Sequence, residues 1–203
     1  EQRLDLGQMG TTLVAAVIQG NTLTVANVGD SRAYLVRDGK IHQITRDHSL
    51  VEQLVREGSI TPQEAKHHRR KNVILRSLGM DPSVSADIFE GQINPGDRLL
   101  LCSDGLTRHV EDDEIAKTVI RAQEGQAVKQ LVEMANARGG KDNISVMLLR
   151  FSEEPWVPGK GRLREVESPE LETLHDTAVK RHRSPTTRTP ARVPLAVVGA
   201  IVG

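Results

Sequence analysis

The chain has 203 residues, room for one core of ordinary size with a tail beside it. Its 27 basic and 27 acidic residues cancel, so no global field points toward nucleic acid or toward cationic partners. Aromatic residues make up 2% of the chain (Tyr34, Phe89, Phe151, Trp156), which excludes a stacking platform for single strands and leaves the core to Val, Ile, Leu and Ala. The one cysteine, Cys102, allows no internal disulfide; set in an apolar run, it reads as a buried structural thiol in a reducing compartment. The opening EQRLDLGQMGTT has no signal-peptide pattern and reads as a cut end.

From residue 11 onward the chain follows short β-branched runs. Residues 11–19, 22–28 and 32–36 are expected as antiparallel strands joined at Gly20-Asn21 and Gly29-Asp30, and Asp38-Gly39 turns into a fourth at 40–44. Between 49 and 71 the strand signal gives way to charged residues with Leu50, Leu54 and Val55 at helical spacing. A Thr61-Pro62 helix start follows them, so a small helical insertion is expected. Strands return at 86–92 and 97–102 around Pro95-Gly96, two helices follow at 112–121 and 126–138, and a strand at 144–151 ends the domain. Hairpins without regular βαβ alternation predict an antiparallel α+β architecture. No glycine-rich nucleotide loop is present.

Past Ser152 the composition shifts. Six of the nine prolines lie there among Thr, Arg, Glu and Ser, so residues 152–192 are expected as a disordered linker. Arg181, Arg183, Arg188 and Arg192 stand directly before PLAVVGAIVG. That order suits the cytoplasmic side of a membrane helix, so 193–203 is expected to begin one, with a cytoplasmic catalytic domain anchored behind it. The bland alternative is a basic tail that stops at an apolar decapeptide.

Three aspartates follow or precede strands: Asp30 after 22–28, Asp104 after 97–102, and Asp142 before 144–151. If the strands pair, all three meet at one sheet edge. Carboxylates with waters suit hard divalent ions, and no Cys/His spacing suits a closed zinc site. A metal-activated water is then the natural nucleophile for phosphoryl displacement. Taken singly, each aspartate reads more readily as part of a turn or a cap.

Five ordered blocks remove that ambiguity: Met9-Gly10-Thr11-Thr12, Val28-Gly29-Asp30-Ser31-Arg32-Ala33-Tyr34, Thr45-Arg46-Asp47-His48-Ser49, Ser103-Asp104-Gly105-Leu106-Thr107 and Lys141-Asp142-Asn143. Together they resemble the metal-dependent protein serine/threonine phosphatase family, the PPM type, and in particular its bacterial membrane-anchored members. The resemblance implies a four-layer α-β-β-α sandwich of two antiparallel sheets over residues 1–151, incomplete here, with a mobile flap at about 49–72. It implies Asp104 and Asp142 as ligands of a binuclear Mn²⁺ or Mg²⁺ centre and Asp30, with Asp104, as ligands of a third ion. Gly10, Thr11, Thr12, Gly29, Ser31, Ser103, Gly105 and Asn143 would support that site.

The family's first third is missing. It carries the phosphate-binding arginine, the metal-bridging aspartate of D-G-x-x-G and the histidine proposed as general acid, so no catalytic residue is assignable. Weak metal binding and little activity are expected of this piece alone. His48 reads as a structural residue beside the flap, and the basic run at 66–71 as a solvated helix face. The resemblance implies hydrolysis of phosphoserine and phosphothreonine on proteins, countering a bacterial Ser/Thr protein kinase, by a monomer that binds no nucleic acid. The alternative is a catalytically inactive phosphatase-like binding module.

Overall fold

In the computed structural model, which describes residues 10–81, 83–140 and 142–153 and the backbone of 195–202, β1 (Thr12–Gln19) and β2 (Thr22–Val28) pair antiparallel across Gly20-Asn21. Strand β3 (Arg32–Arg37) turns at Asp38-Gly39 into β4 (Lys40–Gln43). After the insertion come β5 (Asp87–Gln92) and β6 (Arg98–Cys102); β7 (Val146–Arg150) closes the domain, and β8 (Leu195–Val202) lies near the C-terminal end. They form two antiparallel four-stranded sheets, ordered β5-β2-β1-β8 and β4-β3-β6-β7.

Period-two alternation decides the layering. Val14, Ala16, Leu23 and Val25 of the first sheet meet Ala33, Leu99 and Leu101 of the second in a buried inter-sheet core. The residues between them point the other way: Tyr34, Val36, Leu100 and Cys102 form a second core on the far side of the β3–β6 pair. Helices α4 (Asp112–Arg121) and α5 (Glu124–Ala137) cover it with Ile115, Val119, Leu131 and Ala135. Strand β6 reads RLLLC because it is buried on both faces. The described residues thus make three of the four expected layers. Leu13, Ala15 and Val17, on the outer face of β1, are half-buried.

The insertion is a pair of short helices, α1 (Leu50–Arg56) and α2 (Pro62–His67), with no buried residue in either. Ser49 Oγ accepts from the Glu52 amide (3.3 Å) and Thr61 Oγ1 from the Glu64 amide (3.2 Å), so side-chain caps rather than core packing hold their starts. An antiparallel bridge, Ser49 to Ile74, closes the base of the excursion. A four-residue helix, α3 (Asp104–Thr107), was not expected; it is too short to show periodicity.

One expectation is corrected. Residues 193–203 were read as the beginning of a membrane helix, but Leu195–Val202 is a strand paired along the whole of β1, from Thr12–Val202 to Gln19–Leu195. The ladder satisfies the edge amides and carbonyls of β1, and an apolar decapeptide suits a strand as well as a helix. Among the described residues no helix is long and apolar enough to cross a membrane. The expected disordered linker lies, apart from Ser152 and Glu153, outside the described residues.

At the end of the sandwich away from Asp30, Asp97 is 3% exposed and accepts from Arg37 Nε (2.9 Å), Arg37 Nη2 (2.6 Å) and the Asn94 amide (2.7 Å). Arg37 Nη2 also donates to the Gln92 carbonyl (2.8 Å), so one ion pair ties the β5–β6 connection to β3. The Arg37 guanidinium holds the Asp97 carboxyl below its usual range. A depressed carboxylate stabilises the fold above its unfolded pKa, roughly 4, and the gain fades as pH falls through the lower folded value. Asp97→Asn should therefore cost about 2 kcal/mol in urea unfolding at pH 7, and the gap to the unaltered protein should shrink below about pH 4.

Candidate metal centre

Strand ends that share a register bring the three aspartates to one end of the sandwich. Arg32 at the start of β3 pairs with Cys102 at the end of β6, and Cys102 pairs with Val146 at the start of β7. Asp30 lies in the crossover from β2 to β3, Asp104 opens α3 after β6, and Asp142 precedes β7.

Two clamps fix these segments. The first joins the loops around β6 and β7. Ser103 Oγ donates to the Asn143 carbonyl (3.0 Å) and accepts from the Ser145 amide (3.0 Å), while the Ser103 amide donates to the Ser145 carbonyl (3.0 Å). Gly105 lets the loops touch, since a Cβ there would lie 2.4 Å from the Asn143 carbonyl oxygen. The second clamp holds the Asp30 turn. The Gly29 amide donates to His48 Nδ1 (3.0 Å) and the His48 amide to the Gly29 carbonyl (2.9 Å). His48 Nε2 lies 3.2 Å from Asp87 Oδ2 and 3.1 Å from Arg76 Nη1. Gly29 has φ +109°, and a Cβ on it would collide with the Thr12 side chain at 2.3 Å. Thr12 is buried, with its hydroxyl 2.8 Å from Ser31 Oγ; Thr11 is half-buried and bridged to Leu78, beside Gly10, where a Cβ would meet Ser77 Oγ at 2.8 Å.

The electrostatics are those of crowded acids. Burial, then the carboxylates of Asp104 and Asp47, push the Asp30 carboxyl up to about 6. Burial also raises Asp104 against the pull of Arg108, and Asp142 adds to the rise. Arg108 pairs with Asp104 Oδ2 through Nη2 and with Asp142 Oδ2 through Nη1 (2.7 Å).

Asp30 and Asp104 open into a cleft of about 820 Å³ between the sandwich and the insertion, lined also by Arg32, Asp47, Lys66, Lys71 and Arg108. Its floor is rigid. Arg32 donates to Asp47 from Nε (2.9 Å) and Nη2 (2.7 Å) and to Tyr34 Oη from Nη1 (2.9 Å), and Tyr34 Oη donates to Asp112 Oδ1 (3.0 Å).

Over this domain the chain matches known proteins. The family model described as "Protein phosphatase 2C" matches residues 2–54. The serine/threonine phosphatase stp of Listeria welshimeri is 43% identical over 151 residues, which is 73% of this chain and 60% of the relative. The crystal structure of the Mycobacterium tuberculosis serine/threonine phosphatase PstP/Ppp superposes with a TM-score of 0.71 at 40% identity, over 74% of this chain and 63% of that one. Over this stretch the chain is similar to the protein phosphatase 2C family. A catalytic-domain structure of PstP in complex with 2 manganese ions is similar too, with a TM-score of 0.65 at 40% identity, over 72% of this chain and 60% of that one. The chain therefore spans about 60% of the length of the Listeria relative.

Within that family setting, the donor chemistry fits a hard divalent ion, because the oxygens of Asp104 and Asp142 already converge on one cationic group. The donor count is short: among the described residues no three His, Cys, Asp or Glu side chains gather closely enough to hold a metal ion. Sequence reasoning singled out the three aspartates and missed Arg108, Arg32 and Asp47. Arg108 had a signal in its spacing, four residues after Asp104 on a helix start, whereas the Arg32–Asp47 pair spans 15 residues and needs the fold.

Two outcomes test this geometry. Gly105→Ala should lower stability by about 1–3 kcal/mol, read by denaturant unfolding, because its Cβ meets backbone rather than a movable side chain. Asp30→Asn should do the reverse. An Asp raised to about 6 in the fold against roughly 4 unfolded destabilises the metal-free protein above pH 6, and that cost disappears toward pH 4. In chelator at pH 7.5 the Asn variant should be more stable by about 1–3 kcal/mol, the difference closing by about pH 4; a destabilised Asn variant at pH 7.5 contradicts the account.

Proposed function

We propose that this chain carries the greater part of a protein serine/threonine phosphatase that hydrolyses phosphoserine and phosphothreonine with the help of Mn²⁺ or Mg²⁺. One observation carries the reading: Asp30, Asp104 and Asp142 stand at one end of the sandwich beside a cleft, in a chain 43% identical to a serine/threonine phosphatase. When bound, such ions supply Lewis acidity, which makes water a nucleophile near neutral pH and offsets charge on phosphoryl oxygens.

The protein's own groups do the rest. Asp104 and Asp142 hold the cation side of the cleft, and Asp30 adds negative potential next to Asp104. Lys66, paired with Glu111, and Lys71 also line the cleft, where their positive charge attracts the phosphoryl group of a phosphorylated segment. The Asp47–Arg32–Tyr34–Asp112 chain keeps the floor from collapsing, so little reorganisation is needed when charge develops. Partners on this reading are phosphorylated proteins, among them a Ser/Thr protein kinase, approached by a monomer.

A second reading, a phosphatase-like binding module, draws on the short donor count among the described residues. One assay separates the two. Mn²⁺-dependent phosphate release from a phosphothreonine peptide is measured for this chain and for this chain joined behind the N-terminal segment of the Listeria phosphatase. The joined protein should turn over, and Asp104→Asn or Asp142→Asn should each lower its kcat by 10²-fold or more on the scale of losing one transition-state charge contact. No turnover in a folded, Mn²⁺-loaded joined protein favours the binding module.

A further inference from the structure

Arg108 sits where a cation is needed. It caps the C-terminus of α3, its amide donating to the Asp104 carbonyl (2.9 Å). Four residues after Asp104, its side chain returns along the same helix face, and Nη2 meets Asp104 Oδ2. Nη1 reaches Asp142 Oδ2 (2.7 Å), which arrives on a different segment through the Ser103–Asn143 clamp. A planar guanidinium fork suits two carboxylates approaching from separate elements in a way an ammonium does not. Among the described residues these are the acids it pairs with, and its side chain, 29% exposed, lines the 820 Å³ cleft.

We propose that Arg108 is the built-in counter-cation of the Asp104–Asp142 pair: it holds the two loops together when no divalent ion is bound and must leave when one binds. The inference rests on the reading of these aspartates as ligands of a divalent cation. Two carboxylates this close repel each other strongly unless positive charge lies between them. Arg108 supplies one charge and uses Oδ2 of both acids. A divalent ion supplies two charges at shorter range and takes the same lone pairs, so the two cations exclude each other. The cleft gives the displaced guanidinium somewhere to go. The cost is a lower apparent metal affinity, and the gain is an ordered site without metal.

The test uses this chain, Arg108→Gln, Arg108→Lys and Asp104→Asn, with the double variant Asp104→Asn/Arg108→Gln. Free Mn²⁺ is followed by electron paramagnetic resonance, and melting is recorded in excess chelator. Arg108→Gln should bind Mn²⁺ roughly tenfold tighter than the unaltered chain, the scale of coupling between contacting charges. It should also melt lower in chelator, and Arg108→Lys should fall between on both measures. The loss in melting temperature caused by Arg108→Gln should be smaller when Asp104 is already Asn. If Asp104→Asn weakens Mn²⁺ binding while Arg108→Gln leaves it unchanged or weaker, the cation site stands and the counter-cation role is overturned. If Asp104→Asn has no effect on Mn²⁺ binding, the cation site itself falls, and the proposal with it.

Discussion

Repulsion among acids at one end of the sandwich is the constraint around which the rest is arranged. The carboxylates of Asp104 and Asp47 act on Asp30, and those of Asp142 and Asp47 act on Asp104. Left to themselves these loops would spread. They stay together because Ser103 ties the β6 end to the β7 start, His48 ties the Asp30 turn to the base of the insertion, and Arg108 and Arg32 place positive charge among the carboxylates. Crowded carboxylates with raised pKa values cost stability at this end, and such perturbed groups cluster at functional sites.

The other parts make that concession affordable. Two cores, one between the sheets and one under α4 and α5, are built from fully buried aliphatic side chains on β6 that alternate between them. The far end is closed by the Arg37–Asp97 pair, whose charges are matched. The insertion shares in neither core: its helices bury no residue, and Lys66 pairs with Glu111 at 2.5 Å between groups that are both about half or more exposed. Exposed pairs of this kind are worth little, so the wall the insertion forms over the cleft is held without core packing.

Much of this was legible in the sequence. Strand β2 and helix α4 fall on their expected bounds, and the other strands of the domain lie within a residue or two, because β-branched runs broken by Gly-Asn, Gly-Asp and Asp-Gly leave little choice. The place of Asp30, Asp104 and Asp142 followed from strand ends. What was not legible needed partners distant in sequence or signals too short to show. Helix α3 has four residues, and β8 is an apolar run whose pairing depends on the β1 edge. Arg108 follows directly after the Ser103–Thr107 block, and its second partner, Asp142, is 34 residues away.

The central claim is that these aspartates form the protein's side of a divalent-cation site. Anomalous diffraction from crystals grown with Mn²⁺ tests it most directly. The account predicts a manganese peak within about 2.0–2.3 Å of carboxylate oxygens of Asp104 and Asp142, with the Arg108 guanidinium turned into the cleft. Saturating Mn²⁺ with no peak at the two carboxylates, and Arg108 still bridging them, would contradict it.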